Sequence, residues 1–576
     1  MPDIQKCREA AVSNEYKDFI AGYYDRREIL EGSGTDCYQI VNRSYAIVHY
    51  YAPDVTLGEG TDYFYAQMPK VFGLLQQENL EEIGVNRLRR LQGFRYYGQG
   101  ILIGFVDTGI DYAHPAFLRE DGTSRVVSIW DQNDQEGTPP ADFVYGTEFG
   151  EAAIAAGSAP KDEIGHGTML AGVAAGKPDV TNDFYGVASQ ADIAMVKLKQ
   201  IKPYLRDYYF IPEEVPAYSE TDLMLGVRYL VELAQKRKQP LVLCIGVGTN
   251  SGNHTGSLPF SRYLNSLSYD LDLCLVLAAG NEGNARHHSS GRLSRDRQEV
   301  ELQVGDEPKG FTMEFWASSI SGIRITLLSP SGEKIELPEQ YRYNQRYGFI
   351  FDRTTVYVEY ERQERNSNAR LVLFRFAHPA SGIWRVMIDG IEELFCGYNL
   401  WLPLTGFIDE NTYFVEADPY VTICEPANAP LPIAMTGYNP INGGLYSEAS
   451  RGFSGDKQIR PTIAAPAVNV IVPQAETPQT ARGGYTVKSG TCIAAAYMAG
   501  CAALFYEYII EYRREHMNPQ SGASEEVSFA GLPLDTVLMR DIFSNGATRE
   551  EGMVYPNREW GYGKLNLYGT FLRLQN

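Results

Sequence analysis

The sequence predicts a doubly wound α/β domain, preceded by a small α+β unit and interrupted by an inserted β-sandwich. Three observations carry this. Continuous apolar runs at Ile101–Val106, Ile193–Leu198, Pro240–Gly246 and Asp272–Ala279 have the texture of strands covered on both faces, and they alternate with helical spacing such as Leu223–Lys236. From about Gln298 to Val421 the period shortens to two, with strands at Phe311–Trp316, Ile323–Leu328, Val356–Tyr360 and Leu371–Phe376 and turns at Ser329-Pro330-Ser331-Gly332 and Pro379-Ala380-Ser381-Gly382. The α/β texture then returns near Pro432 and runs to Leu574.

In chain order this gives a first unit over residues 1–76, an α/β domain split into 77–297 and 422–576, and the sandwich over 298–421. The first unit contains the alternating run Tyr45–Tyr51, closed by Pro53-Asp54. Gln76–Tyr97 reads as a linker with a basic cluster at Arg87, Arg89 and Arg90. The stretch Ile493–Tyr506 is uncharged but too short to cross a bilayer, and its Ala and Gly content predicts a buried helix.

Of the 576 residues 44% are hydrophobic and 21% charged, a globular balance. The formal charge of −21 disfavours nucleic acid and anionic membrane as partners. Residues Met1–Cys7 lack the apolar core of a secretory signal, so a cytoplasmic or spore-associated protein is expected. The eight cysteines are scattered, with no Cys-x-x-Cys pair. No zinc site is expected, and the cysteines read as reduced, buried thiols.

Four segments carry chemistry. Phe105-Val106-Asp107-Thr108-Gly109 puts a carboxylate at the carboxyl end of a buried strand, where open α/β sheets place their sites. Gly165-His166-Gly167-Thr168 opens a small-residue helix with a histidine 59 residues further on. Ala279-Gly280-Asn281-Glu282-Gly283 follows another buried strand, and its amide can serve an oxyanion without titrating. Ser489-Gly490-Thr491-Cys492 begins the uncharged helix, where free backbone N–H groups and the helix dipole favour an anion. Each has a bland reading on its own: a cap, an exposed histidine, a turn, an inert core thiol.

In the order Asp, His, Asn, nucleophile, the four together resemble the subtilase family, whose triad runs Asp, His, Ser. Gly246-Val247-Gly248 is similar to the substrate-binding edge of these enzymes, Arg460–Pro466 to the strand before the nucleophile loop, and Gly561–Asn566 to their closing segment. The separation of 211 positions from Asn281 to Cys492 leaves room for the sandwich as a jelly roll. With the first unit kept as a prodomain, this layout resembles the Csp-type germination subtilases of clostridia. The resemblance implies a subtilisin-like parallel sheet and a serine-type endopeptidase acting on protein or peptide. Asp107 would orient His166, His166 would act as base and then acid, and residue 492 would attack. Asn281 and the Cys492 backbone N–H would form the oxyanion hole. The prodomain would be a partner of its own cleft, with cleavage expected near Leu74-Leu75-Gln76-Gln77. No cofactor is implied. Calcium stays open, since no calcium loop of recognisable spacing is present.

The chain departs from the family at the nucleophile: Cys492 stands where Ser is usual, and Ala496 and Tyr497 replace a later Pro and His. An imidazolium at His166 and the helix N-terminus are both expected to favour thiolate. A thiolate–imidazolium pair that is already stable gains little in the transition state, so slow or absent peptide hydrolysis is expected, with activated esters more accessible. The cysteine reads in three ways: a replacement that traps an active protease, the mark of a natural pseudoprotease with a regulatory or binding role, or a natural thiol enzyme.

Overall fold

The computed structural model describes residues 4–574 apart from 33, 35–36, 54–66, 75–82, 92, 294–296, 308, 321, 338–344, 391–395, 479 and 517–532. The N-terminal unit packs the helix Ile4–Val12 on a three-stranded antiparallel sheet of β1 (Tyr16–Gly22), β2 (Tyr38–Ile40) and β3 (Tyr45–Tyr51), with β3 central. Cys7 and Cys37 approach to 5.2 Å between Cα atoms and form a disulfide. This corrects the expectation of eight thiols. The 30-residue separation of the pair gave no sign that the fold would bring it together. The chain then leaves this sheet and returns as β4 (Val71–Leu74), which pairs with other parts of the molecule.

The central sheet collects β5 (Leu102–Asp107), β6 (Val126–Asp131), β7 (Thr147–Gly150), β8 (Asp192–Lys197), β10 (Leu241–Ile245), β12 (Leu273–Ala278), β24 (Ile433–Tyr438) and β25 (Ile463–Pro466). Their order is β25-β24-β12-β10-β5-β8-β6-β7, parallel except for the last pair. The short strands β9 (Tyr218–Ser219) and β11 (Val247–Gly248) lie outside it. Every residue of β5, β10 and β12 is buried, the packing that the unbroken apolar runs anticipate. Helices cover both faces. On one side His166–Ala175 and Thr491–His516 share a core with the sheet; on the other lies Glu220–Arg237. That last helix has a capping Ser219, whose hydroxyl accepts from Thr221 N–H, with acids in its first turn and bases in its last. The Thr491–His516 helix is long and apolar enough to cross a membrane, but 89% of its apolar window lies buried in the protein core.

The inserted sandwich comprises β13 (His288–Arg292), β14 (Gln298–Val304), β15 (Gly310–Ala317), β16 (Ile323–Leu328), β17 (Lys334–Glu336), β18 (Gln345–Phe349), β19 (Thr354–Glu361), β20 (Arg370–Ala377), β21 (Gly382–Gly390), β22 (Gly397–Trp401) and β23 (Tyr413–Phe414). They form two sheets, β13-β22-β15-β20-β19-β18 and β17-β16-β21-β14-β23. It starts ten residues before the boundary at 298, because β13 pairs with β22. His288-Ser289-Ser290-Gly291-Arg292 lacks the apolar alternation by which a strand is recognised. A last hairpin, β26 (Val470–Pro473) with β27 (Tyr485–Lys488), precedes the turn that leads into the Thr491–His516 helix.

The three parts share apolar cores. Ile20 and Ile47 of the N-terminal sheet pack with Leu223 and Val227 of the Glu220–Arg237 helix. Phe19, Val48 and Met68 join Tyr204 and Tyr208 of the α/β domain and Trp316, Leu371 and Leu373 of the sandwich. A buried polar network crosses the same interface. Lys202 Nζ donates to Asp18 Oδ1 at 2.8 Å and to Ala10 O at 2.9 Å, and His49 Nδ1 lies 2.6 Å from Asp18 Oδ1. Burial penalises the Asp18 anion, but Lys202 and His49 outweigh it and hold the carboxyl well below its ordinary range.

Removing the cation should therefore leave a buried, uncompensated carboxylate. Lys202→Met is expected to cost about 3–5 kcal/mol in chemical denaturation. Because the folded pKa of Asp18 is depressed, its share of stability is present above about pH 4 and is lost as pH falls below; a wild-type and Lys202→Met pair should converge in stability at low pH.

Candidate active site

The site assembles at the carboxyl ends of β5 and β12. Asp107 closes β5, fixed by Thr108 N–H to its Oδ1 at 2.7 Å and by its own carbonyl accepting from Leu198 N–H at 2.9 Å. His166 begins its helix, and its Nδ1 lies 2.8 and 2.9 Å from the two Asp107 oxygens. The two backbones meet at Gly167: a Cβ there would fall 2.2 Å from the Gly109 carbonyl, so only glycine lets the helix start this close to the aspartate turn. Gly167 N–H also donates to Thr108 Oγ1 at 2.9 Å.

Sequence reasoning missed Asp162, which seats this helix. Its Oδ1 accepts from Ile164 and Gly165 N–H at 3.1 and 2.8 Å, and its Oδ2 from Thr168 N–H and Oγ1 at 3.0 and 2.8 Å. An Asp a few residues before a helical run is a capping signal that could have been read.

Cys492 is fully buried in the first turn of Thr491–His516 and hydrogen-bonds His166. Gly246 lies at the seam between them: a Cβ there would sit 3.1 Å from His166 Cε1 and 3.3 Å from Cys492 Cβ, and would strike Leu170 at 2.5 Å. The carboxylate, imidazole and thiol thus stand together. The Asn281 turn is laced to the start of the Cys492 helix. Asn281 Oδ1 accepts from Thr491 N–H at 3.1 Å, and Gly280 N–H donates to Thr491 Oγ1 at 3.0 Å. With its oxygen engaged, Asn281 has its Nδ2 donor to offer. Neighbouring Glu282 anchors this turn to the root of the sandwich, accepting from His287 Nδ1, Asn250 Nδ2 and Thr405 N–H at 2.7, 3.1 and 3.0 Å.

Burial works against an imidazolium at His166, but Asp107 and the bond to Cys492 prevail, and the ring is held well above its ordinary value. Burial also dominates at Cys492 and raises the thiol above its usual value despite His166. This corrects the expectation of a favoured thiolate: sealing the sulfur from water costs its anion more than the imidazole and the helix terminus return.

Val247 and Gly248 form β11 and pair antiparallel with Leu74 and Gly73 of β4. On its other side β4 pairs with β9, Val71 opposite Ser219 and Phe72 opposite Tyr218. The end of the N-terminal unit is thus the middle strand of a three-stranded ribbon beside Gly246. Of the expected cleavage segment, residues 75–77 lie outside the described residues. Among the described residues no group of three or more His, Cys, Asp or Glu side chains is placed to hold a metal ion.

A strand-end aspartate, a helix-start histidine and a thiol at a second helix start stand together on a subtilisin-like sheet. The chain belongs to the subtilase family, which it matches over residues 98–306 and 409–563. It is similar in structure to the CspB protease of Clostridium perfringens, at 27% identity and a TM-score of 0.72, covering 86% of this chain and 96% of that one. It is also 32% identical over 130 residues to the subtilisin-like protease SBT2.2 of Arabidopsis thaliana, which is 18% of this chain and 15% of that protein. A subtilisin-like protease of Coccidioides posadasii is 25% identical over 236 residues, 40% of this chain and 46% of the relative. The chain thus spans less than half the length of either of these two relatives.

A raised thiol pKa and full burial should make Cys492 slow to alkylate. With iodoacetamide at neutral pH, peptide mass spectrometry should show the partly exposed Cys396 modified first and Cys492 spared; prompt labelling of Cys492 would contradict the burial.

Proposed function

We propose that this chain is a subtilisin-like endopeptidase scaffold acting on protein substrates, held shut by its own N-terminal strand and slowed by the thiol at its nucleophile. The observation that carries the reading is the bond that His166 Nδ1–H donates to both Asp107 oxygens, beside a residue 492 that bonds the same ring.

In this reading His166 keeps Nδ1–H on Asp107, and its other nitrogen takes the proton of residue 492 when the ring is neutral. Residue 492 attacks the scissile carbonyl, and Asn281 Nδ2 with the Cys492 backbone N–H receives the oxyanion. His166 then returns the proton to the leaving amine. The substrate lies as a strand along Val247-Gly248, where β4 now lies, so residues 1–76 act as an inhibitory prodomain. With Cys492 protonated, the attacking anion is scarce at neutral pH, and an amine leaving group is poorly served. Activated esters fit this site better than peptides.

A second reading is favoured by the same buried thiol: a pseudoprotease that keeps the scaffold for binding or regulation, with spore germination as the setting the sequence resemblance suggests.

Restoring the hydroxyl separates the two. Cys492→Ser is expected to release an N-terminal fragment, visible on a gel, and the added change His166→Ala should abolish release. An intact Cys492→Ser chain would favour the regulatory reading. Mass spectrometry of the unaltered chain should show cleavage at least about a hundredfold slower than in the serine form, on the scale of one lost proton-transfer advantage.

A further inference from the structure

Just upstream of β4, the chain carries a lysine into the interior. Lys70 is 1% exposed, and its Nζ donates to Met68 O at 2.6 Å. Its backbone is gripped by one residue: Glu220 N–H donates to Lys70 O at 3.0 Å, while Lys70 N–H donates to Glu220 Oε2 at 3.1 Å. The other Glu220 oxygen accepts from Phe260 N–H at 2.9 Å.

Burial holds the Lys70 ammonium below its ordinary value, and four buried carboxylates oppose this: Glu220 from the α/β domain, and Glu314, Glu364 and Glu361 from the inserted sandwich. Two of the sandwich acids have other duties. Glu314 Oε2 accepts from Gly252 N–H and Trp316 Nε1 at 2.9 and 2.8 Å, and Glu364 accepts from Asn366 and Ser367 N–H. Glu361 differs, since its buried Oε1 has no hydrogen-bond partner. Burial and its neighbours Glu359 and Glu364 push its carboxyl up to about 7, while Lys70 and the exposed Arg365 draw it down.

Lys70 is the fourth residue before Leu74, which faces Val247 across the substrate edge. Three of the four acids lie in the stretch 307–408 that the family match leaves out. They are an addition particular to the insertion.

We propose that the cleft has a cation-selecting subsite, built jointly by Glu220 and by Glu314, Glu361 and Glu364 of the sandwich, which takes a lysine side chain of an extended polypeptide where Lys70 now lies. The inference rests on the reading of β4 as a strand in the substrate's place. Glu220 clamps the backbone by reciprocal hydrogen bonds, and the sandwich acids read the charge. A neutral or acidic side chain here would leave buried carboxylates without a counter-ion, which is the more costly state.

The test uses the full chain and needs no peptide cleavage. In Lys70→Met, hydrogen exchange at the Lys70–Leu74 amides is expected to quicken at least tenfold, while Lys70→Arg stays near wild type. The loosened Lys70→Met chain should bind a fluorescent peptide of residues 67–75 at least tenfold more tightly than the same peptide with norleucine or Glu at the Lys70 position. Adding Glu314→Gln and Glu361→Gln should shrink that preference below threefold. Unchanged exchange in Lys70→Met, or three peptides binding within twofold of one another, would overturn the subsite. If Lys70→Met fails to fold, Lys70→Gln is read in the same way. A chain that discriminates among the peptides but never cleaves after Cys492→Ser keeps the subsite and loses the peptidase reading. Cleavage without discrimination does the reverse.

Discussion

A carboxylate and an imidazole, both sealed from water and held at hydrogen-bond distance, set the terms for this molecule. Neither charge is tolerable there without the other. Keeping them paired demands a strand end that cannot drift, a helix that starts against it, and a glycine where the two backbones touch. Asp162 and Thr108 hold the helix start, and the sheet holds the strand. The thiol, the Asn281 turn and the β11 edge are arranged around that fixed pair.

The same burial sets the chemistry of Cys492. A serine hydroxyl in this position stays neutral until attack, so the dryness of the site costs it nothing beforehand. A thiol is asked to ionise first, and burial opposes that. The environment that suits an Asp–His–Ser relay is thus ill suited to a cysteine, whatever its intrinsic nucleophilicity. His166 adds to this: a ring that holds its proton firmly is a poor acceptor for another.

Much of this was legible in the residues. The four central strands and the Leu223–Lys236 helix follow from unbroken apolar runs and 3.6-residue spacing, and the structure has them within a few residues. Asp107, His166, Asn281 and Cys492 stood out because each follows a strand or opens a helix beside glycine. What escaped depends on long-range contact. β6 is apolar but was not separated from its surroundings, and β13 is a strand only because β22 lies beside it. The Cys7–Cys37 bridge needs the helix Ile4–Val12 laid against its sheet. The protonation of Cys492 was misjudged because sequence shows the charges near a group but not the depth of its burial. The acidic pocket joins residues up to 294 positions apart, from three parts of the chain, and no local pattern announces it.

The apolar cluster common to all three parts bears on how such a protein can change over time. Phe19, Met68, Tyr204, Trp316 and Leu371 pack together although they come from the N-terminal unit, the α/β domain and the insertion. None of these parts is a cassette that can be traded alone. A foreign insertion would bare the flank of the N-terminal unit, and a foreign leader would meet an unmatched face on the insertion. Lineages that carry this layout are therefore expected to inherit the three pieces as a set, diverging together at that seam while exposed loops vary freely.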